Sequence, residues 1–517
     1  MKNPLLRFSF IVSITTILLR MLGFLREMTL AATYGAGIVS DAFVIAMTIP
    51  GVVLALISGG FATLYIPQYS AVSSEDKNRF TSNILTLLLF VGLLFAIFFS
   101  LNPQILVTIF ASNLVDESFG LAVMFLRIMV WSAIPTLLAG IFRAYLQIKN
   151  AFFIALISDG LINVFIIAAT LAGKATGYLY ILSIGSLIGN IASFLVLAWF
   201  GSRNGLHYKP VLDLRDKHLR SMFVLMIPII LSSAVGEINQ IVDKNLASSL
   251  ATGTVSALNY SVKINNVVIS LVGSAIGVAL FPRLSELATD NDIKTLKRHL
   301  VTCVKGLFPI LFPITVGVIL LAEPIIRILL ERGAFNASDT KLTAECLQMY
   351  AVGLIALNYN VILSKIFYAR RQSKWPAILS AISVAIGIIL NLILIGPMKH
   401  KGLALATSTS STLFFALMLI VLRKQLGALG FRTAAKELVK VVLASAFMGI
   451  AVVILSQRFQ LINVSYQLCL FRTALTVAVG ALVYFVLLVL MKTEWVWDIL
   501  QRILPNALML KVRKLGK

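Results

Sequence analysis

Apolar runs of about twenty residues, the length a helix needs to cross a bilayer, alternate with short polar breaks from residue 8 to residue 491. The breaks divide the chain into about fourteen segments: 8–33, 39–71, 82–110, 119–148, 150–173, 176–201, 221–250, 255–285, 299–321, 335–368, 375–396, 402–424, 437–457 and 465–491. Only helices and closed barrels satisfy the backbone inside lipid, and runs of this length predict an all-α polytopic membrane protein. The first segment is interrupted by Arg20, resumes to Ala32 and meets no cleavage site, so it reads as a transmembrane helix and not a leader. After residue 491, Trp495, Trp497, Ile499 and Leu500 precede a Lys/Arg cluster, the pattern of an interfacial amphipathic tail.

The segments repeat. Gly60-Phe61-Ala62-Thr63-Leu64-Tyr65-Ile66-Pro67-Gln68-Tyr69-Ser70 closes the second, and Gly277-Val278-Ala279-Leu280-Phe281-Pro282-Arg283-Leu284-Ser285 closes the eighth. Phe142-x-Ala144-x-x-Gln147 returns as Phe367-x-Ala369-x-x-Gln372. Two six-helix lobes in parallel orientation are therefore expected, over 1–201 and 221–424, joined by a basic cytoplasmic linker at 202–220. Two extra helices over 425–491 and a basic tail over 492–517 complete the predicted organisation.

Composition agrees with a membrane class. The chain is 59% hydrophobic and 13% charged, with a mean hydropathy of +0.95, which excludes a water-soluble enzyme. A net charge of +23 would point to nucleic acid in a soluble chain, but here the excess lies in the breaks. Counted over alternate loops, Lys and Arg fall on the side of the N-terminus, predicting both termini in the cytoplasm. Cys303, Cys346 and Cys469 are far apart in apolar context and give neither a disulfide framework nor a zinc spacing. The four histidines sit in or beside loops, and no nucleotide-binding glycine loop is present, so ATP is not the direct energy source.

Charges inside apolar segments usually face a cavity, a partner or the headgroups. Arg20 and Arg26 in segment 1, six apart, project about 120° from one another on a helix. Asp41 near the start of segment 2 is placed to pair with either arginine. Further intramembrane charges are Arg127, Asp159, Glu237, Asp243, Lys244, Lys263, Lys305, Glu345 and Lys365. The basic bias points to an anionic substrate. Asp243 beside Lys244 reads either as an ion pair or as a cation site at Asp243.

At Arg20-Met21-Leu22-Gly23-Phe24-Leu25-Arg26-Glu27, then Tyr34-Gly35-Ala36-Gly37 and Ser40-Asp41-Ala42-Phe43, the chain resembles the MurJ (MviN) family of lipid II flippases. That family belongs to the multidrug, oligosaccharidyl-lipid and polysaccharide exporter superfamily. The resemblance continues through Ala257-Leu258-Asn259-Tyr260, Glu331-Arg332-Gly333-Ala334-Phe335, Phe367-Tyr368-Ala369-Arg370 and Asn391-Leu392, and spans essentially the whole chain.

The resemblance implies alternating access that moves a polyprenyl-diphosphate-linked peptidoglycan precursor from the inner to the outer leaflet, with no catalytic residue. It implies a diphosphate site at Arg20, Arg26 and Lys263, with Asp41 as a charge partner in the cavity. It also implies a coupling cation, sodium or a proton, with Asp243, Asn391 and Thr407 as sodium ligands and no other cofactor. Implied partners are the lipid-linked glycan, membrane lipid and cell-wall synthases, and no nucleic acid. The chain departs from many relatives in helix 2, where Pro50 is followed by Gly51-Val52-Val53-Leu54-Ala55-Leu56 without an arginine. That departure keeps a second cargo in view, another undecaprenyl-linked glycan for exopolysaccharide or teichoic acid assembly. A cation-coupled drug exporter is a more distant reading, since it would need an acidic cavity.

Overall fold

A computed structural model describes residues 4–270, 293–428, 432–462 and 464–497. With no water in the hydrocarbon to satisfy N–H and C=O groups, the apolar runs fold as helices among the described residues: α1 Pro4–Tyr34, α2 Ile38–Ala71, α3 Lys77–Leu101, α4 Pro103–Ala111, α5 Asp116–Met129, α6 Ala133–Ile148, α7 Phe152–Thr176, α8 Tyr180–Arg203 and α9 Lys217–Ser248. Helix α10 is described over 254–270. After it come α11 Ile293–Leu320, α12 Ala322–Leu330, α13 Ala337–Val352, α14 Leu354–Ala369, α15 Lys374–Met398, α16 His400–Leu426, α17 Arg432–Phe459 and α18 Tyr466–Leu490.

The all-α membrane class holds, but two predicted segments break, and a third, 119–148, is α5 and α6 joined by a 3-10 turn at Val130–Ser132 within one span. Segment 82–110 is interrupted after Leu101, where Pro103 takes the first position of the nine-residue α4, a place that needs no N–H. Segment 335–368 is α13 and α14, bent by 45° around Gly353. A Cβ on Gly353 would stand 2.8 Å from the Ser408 backbone. Among the described residues ten helices are long and apolar enough to cross a membrane, and the bent pair is an eleventh. Helices α1 and α9, at 31 and 32 residues, also have the length. The Gly277–Ser285 exit and the Lys/Arg cluster of the tail lie outside the described residues.

The helices show the repeat more clearly than the motifs do. Lengths of 9, 16 and 25 residues for α4, α6 and α7 recur in α12, α14 and α15. The ends of α6 and α14 carry the same hydrogen-bonded cap. Ala151 N–H reaches Leu146 O at 2.8 Å and Gln372 N–H reaches Phe367 O at 2.9 Å, with Asn150 and Arg371 both left-handed at φ 58 and 56. By this cap Phe367 corresponds to Leu146, one helical turn away from the Phe142 of the sequence match.

The described chain forms two compact units. One comprises 1–263, 332–339 and 388–403; the other comprises 264–331, 340–387 and 404–517. The first is cored by Tyr65, Tyr69, Phe80, Tyr145 and Leu197, with the Tyr65 hydroxyl 2.7 Å from Thr81 Oγ1. In the second, Tyr484 donates its hydroxyl to the Pro309 carbonyl at 2.7 Å. That carbonyl has no partner in its own helix because Pro313, four residues on, has no N–H. The three cysteines are buried and free, as apolar filler should be.

Candidate functional site

Arg26, Glu27, Lys244 and Lys263 of the first unit lie within reach of one another. Helix α1 is set against α7 where Gly160 admits Leu19 and Leu22, and Gly23 faces Asn163. This packing fixes the rotation of α1. Arg20 lies on its exposed side, whereas Arg26 is largely enclosed, its side chain 12% exposed. Arg26 is ion-paired with Glu27, which is buried. Glu27 also accepts from Asn259 Nδ2 at 3.2 Å, so α10 supplies a neutral donor to the acid that holds Arg26. Glu27 was hidden in the sequence as the second half of an Arg-Glu pair. Neighbours in a helix diverge by about 100°, and only the long arginine side chain lets the two meet.

Asp41 is not the counter-ion of Arg26. Both of its oxygens are turned to the start of α10: Oδ2 accepts from Gly253 N–H at 2.6 Å, and Oδ1 from Ser256 N–H at 2.7 Å and Ser256 Oγ at 2.6 Å. The carboxylate thus caps a helix N-terminus from another helix, where orphan N–H groups and the helix dipole favour an anion. Nor is Arg20 within its reach, lying about four turns below the end of α1.

Around this cap the turn between α1 and α2 is gripped on several sides. Ala334 N–H donates to Ala32 O at 3.0 Å, and Asp339 Oδ2 accepts from Ala36 N–H at 3.2 Å. Gly35 O accepts from Ser40 Oγ at 2.7 Å and Tyr260 Oη at 3.2 Å. Tyr260 stacks edge-on against Phe335 at 6.0 Å. Two close approaches require glycine. Gly253 has φ +90 and Gly333 φ +61, and a Cβ on either would run into the carbonyl of Ala36 or Ala32. The Tyr34-Gly35-Ala36-Gly37 and Arg332-Gly333-Ala334-Phe335 stretches, far apart in sequence, therefore meet.

Asp243 and Lys244 do not form an ion pair. Asp243 accepts from Asn391 Nδ2 at 2.6 Å and from Asn239 Nδ2 at 3.0 Å. The Asn391 carbonyl oxygen is buried without a donor. Thr407 falls in the second compact unit. Lys244 is within Coulombic reach of Lys263, Asp243, Asp41 and Glu27, and Lys263 of Glu27 and Arg26.

Other intramembrane charges are used structurally. Arg143 lies within α6 and pairs with Asp159 of α7. In the second unit Lys305 binds Glu494 at 2.8 Å, joining α11 to the chain after α18. Among the described residues no group of three or more His, Cys, Asp or Glu side chains is placed to hold a metal.

Comparison with known proteins places this arrangement in a family. The profile described as "Lipid II flippase MurJ" matches residues 30–472. A probable lipid II flippase MurJ of Thermotoga maritima is 27% identical over 492 residues, covering 95% of this chain and 97% of the relative. One from Helicobacter pylori (strain J99) is 29% identical over 411 residues, covering 75% and 88%. Among solved structures, a lipid II flippase MurJ in an inward closed conformation superimposes with a TM-score of 0.79 at 26% identity, covering 92% of this chain and 98% of that one. An inward-facing multidrug transporter of the MATE family shares the fold at a TM-score of 0.65 and 13% identity, covering 79% of this chain and 95% of that one.

Proposed function

The chain belongs to the lipid II flippase MurJ family, and from that premise we propose that it moves lipid II from the inner to the outer leaflet of a bacterial cell membrane, with Arg20, Arg26 and Lys263 receiving the diphosphate. The observation that carries the reading is the state of the cations. Arg26 is held in place by a buried carboxylate, and the Lys263 ammonium, close by, has no hydrogen-bond acceptor among the described residues. A diphosphate offers about two negative charges and several strong acceptors, the complement of such a site.

The costly part of the transfer is moving the hydrophilic head through hydrocarbon; the polyprenyl tail stays in lipid, on our reading along a groove at α17 and α18. With both termini cytoplasmic, the gripped end of α1 and α2 faces outward. In the resting arrangement that end is closed by the Asp41 cap and the Gly253 and Gly333 contacts. The head binds from the cytoplasmic side and its charge is neutralised by Arg26 and Lys263. The grip at Asp41 then releases, and the head leaves outward. The two lobes, 1–201 and 221–424, are the moving parts. Nothing covalent is made or broken, and the protein is a transporter.

Asp243 and Asn391 are the residues we assign to a coupling cation. The fit is supported by the orphaned Asn391 carbonyl oxygen next to the Asp243 carboxylate, the hard oxygen donors that a sodium ion takes. Bound there, the ion would supply charge neutralisation linked to the gradient, and Asp243 would exchange an amide donor for it. Cell-wall synthases that use the flipped product are the partners we expect.

A second cargo, another undecaprenyl-linked glycan, is favoured by the uncharged run Gly51-Val52-Val53-Leu54-Ala55-Leu56. Complementation separates the two. A host depleted of its own lipid II flippase is given this chain, with immunoblots of membrane levels. Rescue supports lipid II; failure at good expression moves the cargo to the second glycan.

A further inference from the structure

We infer that Lys244 is a further anion-binding residue, a second ammonium that takes the substrate's diphosphate at the Asp41 end of the site. The inference rests on the flippase reading above and extends it by one residue.

The direction of Lys244 is fixed by its neighbours. Asp243 is tied to Asn391, and on the other flank Asn245 Nδ2 donates to Ile109 O at 3.3 Å and to Ser112 Oγ at 3.1 Å. Successive side chains on a helix are about 100° apart, so Lys244 projects between these two anchored directions. The charges within Coulombic reach of it there are Lys263, Asp243, Asp41 and Glu27.

Charge there is balanced but hydrogen bonding is not. Arg26, Lys244 and Lys263 face Glu27, Asp41 and Asp243, three cations against three acids, which keeps the buried charge tolerable in a membrane. Yet the acids' oxygens are occupied: Asp41 by Gly253 and Ser256, Glu27 by Arg26 and Asn259, Asp243 by Asn239 and Asn391. Each ammonium has three donors and no acceptor of its own. Among the described residues neither Lys244 nor Lys263 has a hydrogen-bond or ion-pair partner. Two neighbouring cations rich in donors and short of acceptors form a site for an oxyanion.

The two lysines also stand at different depths. Lys244 is four residues from the end of α9 at Ser248, about 6 Å along the axis. Lys263 is nine residues into α10, about 14 Å from its start. A diphosphate travelling outward meets Lys263 and Arg26 first and Lys244 next, just below the Asp41 cap that must open for release.

The test uses the full chain in lipid nanodiscs, with lipid II and with undecaprenol as the uncharged control. K244Q is expected to weaken lipid II binding about tenfold, K244R to stay within about threefold of wild type, and undecaprenol binding to be unchanged in both. On wild-type protein, lipid II should protect Lys244 from amine acylation read by mass spectrometry, and undecaprenol should not. This second readout stands even where K244Q folds poorly. Binding by K244Q equal to wild type while K263Q loses affinity, or acylation of Lys244 undiminished with lipid II bound, would overturn the role of Lys244 alone. Wild-type protein that binds no lipid II would remove the flippase reading, and Lys244's role with it.

Discussion

Ser256 gives both its backbone N–H and its hydroxyl to one oxygen of Asp41, at 2.7 and 2.6 Å, so a residue on α2 completes the first turn of α10. A helix start that borrows its cap from another helix is a joint: it holds while the carboxylate is in place and frays when it withdraws. Asp41→Asn would put an amide where Gly253 or Ser256 needs an acceptor. Charge-assisted hydrogen bonds are worth about 1.5–3 kcal/mol each, so opening should become about tenfold or more easier. Maleimide labelling of a cysteine placed at Thr254, buried in the first turn of α10, reads this, against a low background because the three native cysteines are buried. Asp41→Asn should label at least several-fold faster than the same protein with Asp41 intact, and Ser256→Ala, which keeps the N–H, by less. Equal rates in all three would show that the cap does not hold this end closed.

Arg26→Ala should abolish complementation of a flippase-depleted host at unchanged membrane levels, while Arg26→Lys retains part of it. The lysine keeps the charge opposite Glu27 but loses the two-pronged geometry that fits phosphate. Full rescue by Arg26→Ala at normal expression would remove this residue from the path of the substrate.

Much of this arrangement was legible in the sequence and part was not, for physical reasons. Lipid makes helices obligatory, so the apolar runs gave the class and most boundaries; the break at Gly353 lies inside an unbroken apolar run and depends on the close approach of Ser408, which no local pattern reports. Arg20, Arg26, Asp41 and Lys263 stood out because charge in hydrocarbon is conspicuous. Their pairing did not, since it depends on distant neutral donors. Gly253, Ser256 and Asn239 are ordinary residues in sequence, and with Asn391 they decide that Asp41 and Asp243 are held by N–H, hydroxyl and amide groups and not by the cations.

Gly333→Ala and Gly177→Ala compare strain with crowding. Both glycines are left-handed, at φ +61 and +78, but a Cβ on Gly177 meets nothing within 4 Å whereas one on Gly333 meets the Ala32 carbonyl. Gly177→Ala should cost about 1 kcal/mol, the penalty of the conformation alone. Gly333→Ala should cost clearly more, of order 1–3 kcal/mol beyond that, because backbone must shift. Thermal unfolding in detergent should rank wild type above Gly177→Ala above Gly333→Ala. The reverse order would mean that the Ala32 contact is loose.

Asp243→Asn tests the coupling ion. Asn391 Nδ2 and Asn239 Nδ2 both point at the carboxylate, so a cation arriving there must displace at least one amide and gains chiefly from the charge of Asp243. Removing that charge leaves only neutral oxygens, and the sodium concentration for half-maximal transport should rise by about tenfold or more. Asn391→Ala should also raise it, through loss of the buried carbonyl oxygen, but by less, because the carboxylate remains. Lipid II transport into vesicles at graded sodium, with potassium making up the ionic strength, separates the two effects. Wild-type transport that does not respond to sodium would remove these residues as a sodium site. A proton gradient would then be the coupling force to examine, with Asp243 again the side chain placed to accept it.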